Sequence, residues 1–116
     1  MSAASNFLEN EVLDHVLGNG AYTPASTLYL GLFTDSGSTA ANLEAGTLTD
    51  EISGNGYTRK EVTFANASGG SCSTDATVTF DAATGNWGTI THVAVLDAAS
   101  NGNVLFYGAV TSSKTI

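Results

Sequence analysis

Thr89-Ile90-Thr91-His92-Val93-Ala94-Val95-Leu96 decides the fold. The run is apolar and rich in β-branched residues, which suits a pleated, buried strand better than a helix. Trp87-Gly88 leads into it, and Asp97-Ala98-Ala99-Ser100-Asn101-Gly102 follows it. Asn-Gly is a strong hairpin signal, because both residues tolerate the positive φ that a tight two-residue turn needs. The turn predicts a second strand over Asn103 to Thr111, with Leu105, Tyr107 and Ala109 alternating with Val104, Phe106 and Val110. In a regular strand His92 shares a face with Ile90, Ala94 and Leu96.

Outward from this hairpin, Thr27 to Thr34 also reads as a strand. Leu28, Leu30 and Leu32 point one way, and Tyr29, Gly31 and Phe33 the other, so it belongs inside a sheet. Tyr57 to Ala65 places Val62 and Phe64 inward. Ala76 to Phe80 repeats the Val-Thr-Phe of 62–64, which hints at a further hairpin. Residues 6–17 form the one amphipathic helix. Leu8, Val12 and Val16 stack at i, i+4, i+8, Leu13 and Leu17 widen the stripe, and Asn6 with Glu9 has capping-box spacing. Gly18-Asn19-Gly20 ends it. That broad face calls for cover, from its own sheet or from a neighbouring subunit. Residues 35–56, rich in Gly, Ser, Asp and Asn, read as a long loop that orders on contact with a partner. The expectation is a mainly β fold: an antiparallel β-sandwich, Ig-like or jelly-roll-like, with one N-terminal α-helix, as a single domain over 1–116.

Composition narrows the function. The chain has 116 residues and 42% hydrophobic content, enough for a modest core in one domain. Its net charge of −8 reflects a scarcity of cations, Arg59, Lys60 and Lys114, rather than an acidic tail. Phosphate backbones and anionic membranes need a basic footprint, so neither nucleic acid nor a membrane is an expected partner. No apolar run approaches the roughly 18 residues of a transmembrane helix, and the start does not read as a signal peptide. Cys72 is the sole cysteine, which excludes an intrachain disulfide and fits assembly in a reducing cytoplasm.

The candidates for chemistry have plainer readings. His92 reads as a hydrogen-bonded core or interface histidine, and His15 as a solvated or capping side chain. Cys72, after Gly69-Gly70-Ser71, lacks a neighbouring base and reads as a small apolar filler. One Cys and two distant His have no zinc spacing. Asp35, Glu44, Asp50 and Glu51 could gather around calcium in the long loop, but no EF-hand pattern is present, and solvated acids are the better reading. There is no phosphate loop and no nucleophile elbow, so no cofactor and no catalytic residue are assigned. Arg59 and Lys60 stand out because cations are so rare. They read either as cross-strand partners of Glu61 or another carboxylate, or as intersubunit salt bridges. Tyr57 and Trp87 divide between core packing and interface anchors. The candidate interface is therefore Leu8, Val12, Tyr57, Arg59, Lys60 and Trp87.

The order of these segments resembles a family of small tailed-bacteriophage virion proteins, variously tail-fibre-like or capsid-associated. Ser5-Asn6-Phe7-Leu8-Glu9, Leu28-Tyr29-Leu30-Gly31-Leu32, Gly56-Tyr57-Thr58-Arg59, Val62-Thr63-Phe64, Val78-Thr79-Phe80 and Trp87-Gly88-Thr89-Ile90-Thr91-His92 carry the resemblance, which covers nearly the whole chain. Such proteins continue past the equivalent of Ser113-Lys114-Thr115 with another apolar segment. Either that strand is shortened here or a neighbouring subunit completes the edge. The resemblance implies a non-enzymatic virion component assembled in the host cytoplasm. A capsid decoration or cement protein on the outer shell is the first expectation, and a tail-fibre or tail-tip component the alternative. Its implied partners are the major capsid protein or tail proteins of the same virion, and further copies of itself, a trimer being one form.

Overall fold

Residues 3–116 are described by a computed structural model. Five strands, β1 (Ala3–Ala4), β2 (Leu28–Thr34), β3 (Lys60–Val62), β4 (Thr89–Leu96) and β5 (Val104–Thr115), form one antiparallel sheet in the order β1-β5-β4-β2-β3. Two helices accompany it, α1 (Asn6–Val16) and α2 (Thr39–Ala45). β4 and β5 pair as expected, but β5 runs on to Thr115 and residues 97–103 join the two strands in place of a tight two-residue turn. Asn101 and Gly102 lie within that connection at φ of 54° and 73°. The interior position of β2, flanked by β4 and β3, is as expected.

Two β-bulges break the alternation that a regular strand would follow. Phe33 faces His92 while Thr34 faces Ile90, so Thr91 is an extra residue on β4. A side chain that slips by one position changes face. Ile90 therefore packs with Leu32, Trp87 and Ile52, whereas Ala94 and Leu96 pack with Phe33 on the other side. His92 and Ile90 do not share a face. The second bulge is at Leu105. Leu96 faces Val104 and Val95 faces Phe106, so Val104 joins Tyr107 on one face and Leu105 joins Val95 on the other. On β5, residues 110–113 stand opposite Thr91 alone before the ladder resumes at Lys114 and Ile90.

The strands among the described residues make a single sheet, and helices and extended chain supply the layers expected from a second one. On one face Phe33, Ala94, Leu96 and Val104 bury against Leu43 of α2, with Leu48 and Tyr107 alongside. The stretch 35–56 is thus not an open loop: its Ala-rich centre folds as α2, whose Leu43 is fully buried. On the other face Val62, Val95 and Leu105 meet Leu8 of α1, with Phe7, Tyr22, Phe64 and Val78 packed against them. The expected strand over 76–80 does not form. Val78 and Phe80 are held by their side chains, but the backbone there joins no ladder. The strand expected from Tyr57 to Ala65 shortens to Lys60–Val62, and beyond it only isolated pairing, Phe64 with Thr74 and Ser68 with Ser71, marks the hairpin.

The N-cap of α1 is Ser5 rather than Asn6. Ser5 Oγ accepts from Leu8 N at 3.2 Å and also donates to the Val104 carbonyl, while Ser5 N donates to the Leu105 carbonyl at 2.9 Å. One buried serine therefore caps the helix and satisfies the carbonyls at the β5 bulge.

Candidate interaction surfaces

Past Leu30, β2 has lost β3 as a neighbour, and residues 50–52 take over: Thr34 N donates to the Asp50 carbonyl and Ile52 N to the Leu32 carbonyl. The rung between these two partners is supplied by a side chain. Tyr57 Oη accepts from Leu32 N at 3.0 Å and donates to Glu51 Oε2 at 2.8 Å. Arg59 closes the group. Its Nε and Nη2 reach Glu51 Oε2 and Oε1, both at 2.7 Å, and its Nη1 donates to the carbonyls of Ala98 and Asn101. Burial opposes the Arg59 charge, but the adjoining Glu51 carboxylate outweighs it and holds the guanidinium above its ordinary pKa. Burial, reinforced by Glu51, raises the Tyr57 hydroxyl far above its ordinary value.

Trp87 is 7% exposed and lies edge-on to Tyr57, which stacks on Phe80. Its indole Nε1 donates to the Asn55 carbonyl at 2.8 Å. A shallow cleft of about 360 Å³ opens beside Glu51 and Tyr57 toward Ala99–Asn101, but the charges at its floor are committed to each other.

The four acidic residues of the long segment do not converge. Asp35 accepts from Gly37 N, Glu44 from Tyr107 Oη, Asp50 from Asn42 Nδ2, and Glu51 from Arg59. Among the described residues no three His, Cys, Asp or Glu side chains gather as a metal site. Cys72 is exposed and its Sγ donates to the Ala65 carbonyl, so it is not a core filler. His92 Nδ1 pairs with Thr91 Oγ1, and His15 Nδ1 accepts from Tyr22 N at the end of α1.

The residues singled out as an interface part into two groups. Leu8, Arg59 and Trp87 are buried and make their contacts within the chain. Tyr57 is half-buried, and half-buried Lys60 pairs with exposed Asp81 at 3.0 Å, an arrangement open to solvent that contributes little to stability. Val12 belongs to a larger feature. Along α1 the exposure of the stacked positions climbs from 8% at Leu8 to 45% at Val12 and 71% at Val16, while Leu13 and Leu17 stand at 56% and 69%. The helix docks by its first turn and its aliphatic stripe then runs out over solvent. Glu9, Glu11 and Asp14 are the charged residues of the same helix, and His15 is the only basic one.

Compared with known families, residues 3–116 match the model of the family described as Podophage GP4 fiber I protein gp80. No curated protein matches the chain.

Proposed function

The chain belongs to the Podophage GP4 fiber I protein gp80 family, and from that premise we propose that it is a non-enzymatic structural protein of the phage virion, seated in a fibre through the open stripe of α1. The observation that carries the reading is the exposure of Val12, Leu13, Val16 and Leu17 on one helix. Contiguous apolar surface of this kind on a small folded chain marks a docking site. Of the helix carboxylates only Glu9 falls within the arc of the stripe, Glu11 and Asp14 lying opposite it, so the stripe suits a virion protein whose apolar surface carries a Lys or Arg at its edge.

Decoration of the capsid shell, with the major capsid protein as partner, would use the same stripe, and copy number separates the two placements. Quantitative mass spectrometry of purified virions is the test. A copy number far below that of the major capsid protein supports the fibre placement. A simple ratio to the capsid subunits moves the protein to the shell, and absence from the particle overturns both.

A further inference from the structure

We infer that Asn101 is a site of spontaneous, enzyme-independent conversion of asparagine to aspartate and isoaspartate, selected by the fold over two other Asn-Gly steps. In an Asn-Gly step the glycine main-chain nitrogen can attack Cγ of the asparagine. The new N–C bond closes a five-membered succinimide as ammonia leaves. Water then opens the ring at either carbonyl, giving aspartate or isoaspartate. Glycine favours the attack because it carries no side chain to obstruct it.

The chain contains this step at Asn19-Gly20, Asn55-Gly56 and Asn101-Gly102. At the first, the attacking nitrogen is occupied: Gly20 N and Asn19 N both donate to the Asp14 carbonyl, at 3.2 and 2.8 Å, in the cap of α1. At the second, the asparagine is held on both sides. Asn55 Nδ2 donates to the Asn86 carbonyl at 2.8 Å, and the Asn55 carbonyl accepts from Trp87 Nε1 and Thr84 N. Reaction at the first site requires loss of the Gly20 N bond to the Asp14 carbonyl, and at the second release of the Asn55 side chain from the Asn86 carbonyl. At the third, neither the Asn101 carboxamide nor Gly102 N has a hydrogen-bond partner among the described residues, and both residues are exposed. The Asn101 carbonyl itself accepts from Arg59 Nη1, one of the bonds that restrain the turn.

That bond gives the reaction a structural consequence. Isoaspartate routes the main chain through Cβ and Cγ, so the former Asn101 carbonyl becomes part of a free carboxylate. The new charge competes with Glu51 for Arg59. It also stands near Asp97, whose two oxygens hold Asn103 across the same turn. Ageing of this one residue thereby loosens the hairpin at the sheet's centre.

The test is to age the purified, folded chain at mildly alkaline pH and cleave it with trypsin at Arg59, Lys60 and Lys114. The peptide 61–114 contains only the Asn101-Gly102 step, and the peptide ending at Arg59 contains the other two. Amide-to-acid conversion is expected several-fold faster at Asn101, as two products of equal mass that chromatography separates. In denaturant the three steps should react at comparable rates. Asn101→Gln should remove the signal from 61–114. Conversion in the folded chain that is as fast at Asn19 or Asn55, that falls on Asn66, Asn86 or Asn103, or that does not occur would overturn the proposal.

Discussion

Arg59 and Glu51 meet fork to fork, with two parallel hydrogen bonds of 2.7 Å between guanidinium and carboxylate. Only 3% of the Arg59 side chain and 15% of that of Glu51 remain exposed. The same guanidinium binds the Ala98 and Asn101 carbonyls, so it ties the segment beside β2 to the β4–β5 turn. Removing Arg59 leaves the Glu51 carboxylate charged and largely buried, with the Tyr57 hydroxyl as its remaining donor. Arg59→Ala is expected to cost about 3 kcal/mol, read from urea unfolding. Arg59→Lys should recover little, because an ammonium cannot serve a bidentate carboxylate and two carbonyls at once. Replacing both residues by apolar side chains of similar volume should cost far less than either single change.

Ser5 offers a sharper test, since one hydroxyl serves two acceptor–donor roles. Its loss in Ser5→Ala removes the cap of α1 and leaves the Val104 carbonyl short of a partner in a site with no solvent access. The expected destabilisation is about 2 kcal/mol, toward the upper end for a cap. Ser5→Thr should retain most of the stability if the added methyl fits. Thermal unfolding of the two variants side by side distinguishes hydrogen bonding from packing.

Tyr107 makes stability depend on alkaline pH. Its hydroxyl donates to Glu44 Oε2 at 2.6 Å, and this bond, aided by burial and the Glu44 charge, pushes its pKa up to about 12 from 10.0. Folding therefore favours the neutral phenol. Its contribution is complete below pH 10 and is lost as the pH rises toward about 12. The wild type should lose stability across that window more steeply than Tyr107→Phe. Tyr57, raised further by burial, adds a residual slope that the variant retains. Equal slopes in the two proteins would show that Tyr107 does not link α2 to β5 in solution.

Much of the sheet is legible in the sequence because alternation and turn chemistry speak for themselves. Leu28-Tyr29-Leu30-Gly31-Leu32-Phe33 is apolar on both sides and lies between two strands. Asn101-Gly102 marks the place of the β4–β5 connection, though that connection spans residues 97–103 rather than two residues. The bulges are not legible. An extra residue at Thr91 or Leu105 moves a side chain to the other face without altering composition, so Ile90 and Ala94 appear to share a face and do not. Ser5 and Asn6 are equally good caps by type, and the choice is made by the Val104 carbonyl, almost a hundred residues away. Arg59 finds Glu51 across a turn rather than the adjacent Glu61. α2 lies hidden in a window whose glycines and serines suggest a loop, although Thr39-Ala40-Ala41-Asn42-Leu43-Glu44-Ala45 is itself a fair helix former. Of the candidate interface, the α1 stripe is readable from its period, but which of its residues the chain covers is a matter of helix tilt.

That division within α1 yields the last prediction. Leu8 is a core residue, and Leu8→Ala should cost about 3 kcal/mol of folding stability. Val16 and Leu17 project into solvent, so Val16→Gln and Leu17→Gln should change stability by no more than about 0.5 kcal/mol. If the stripe seats the chain in the virion, the double Gln variant will fold normally and yet fail to appear in particles produced by a phage that depends on it. A conservative Val16→Ile control should be incorporated like the wild type. Normal incorporation of the Gln variant would move the docking surface off α1. A folding defect as large as that of Leu8→Ala would mean that the chain itself covers the stripe in solution.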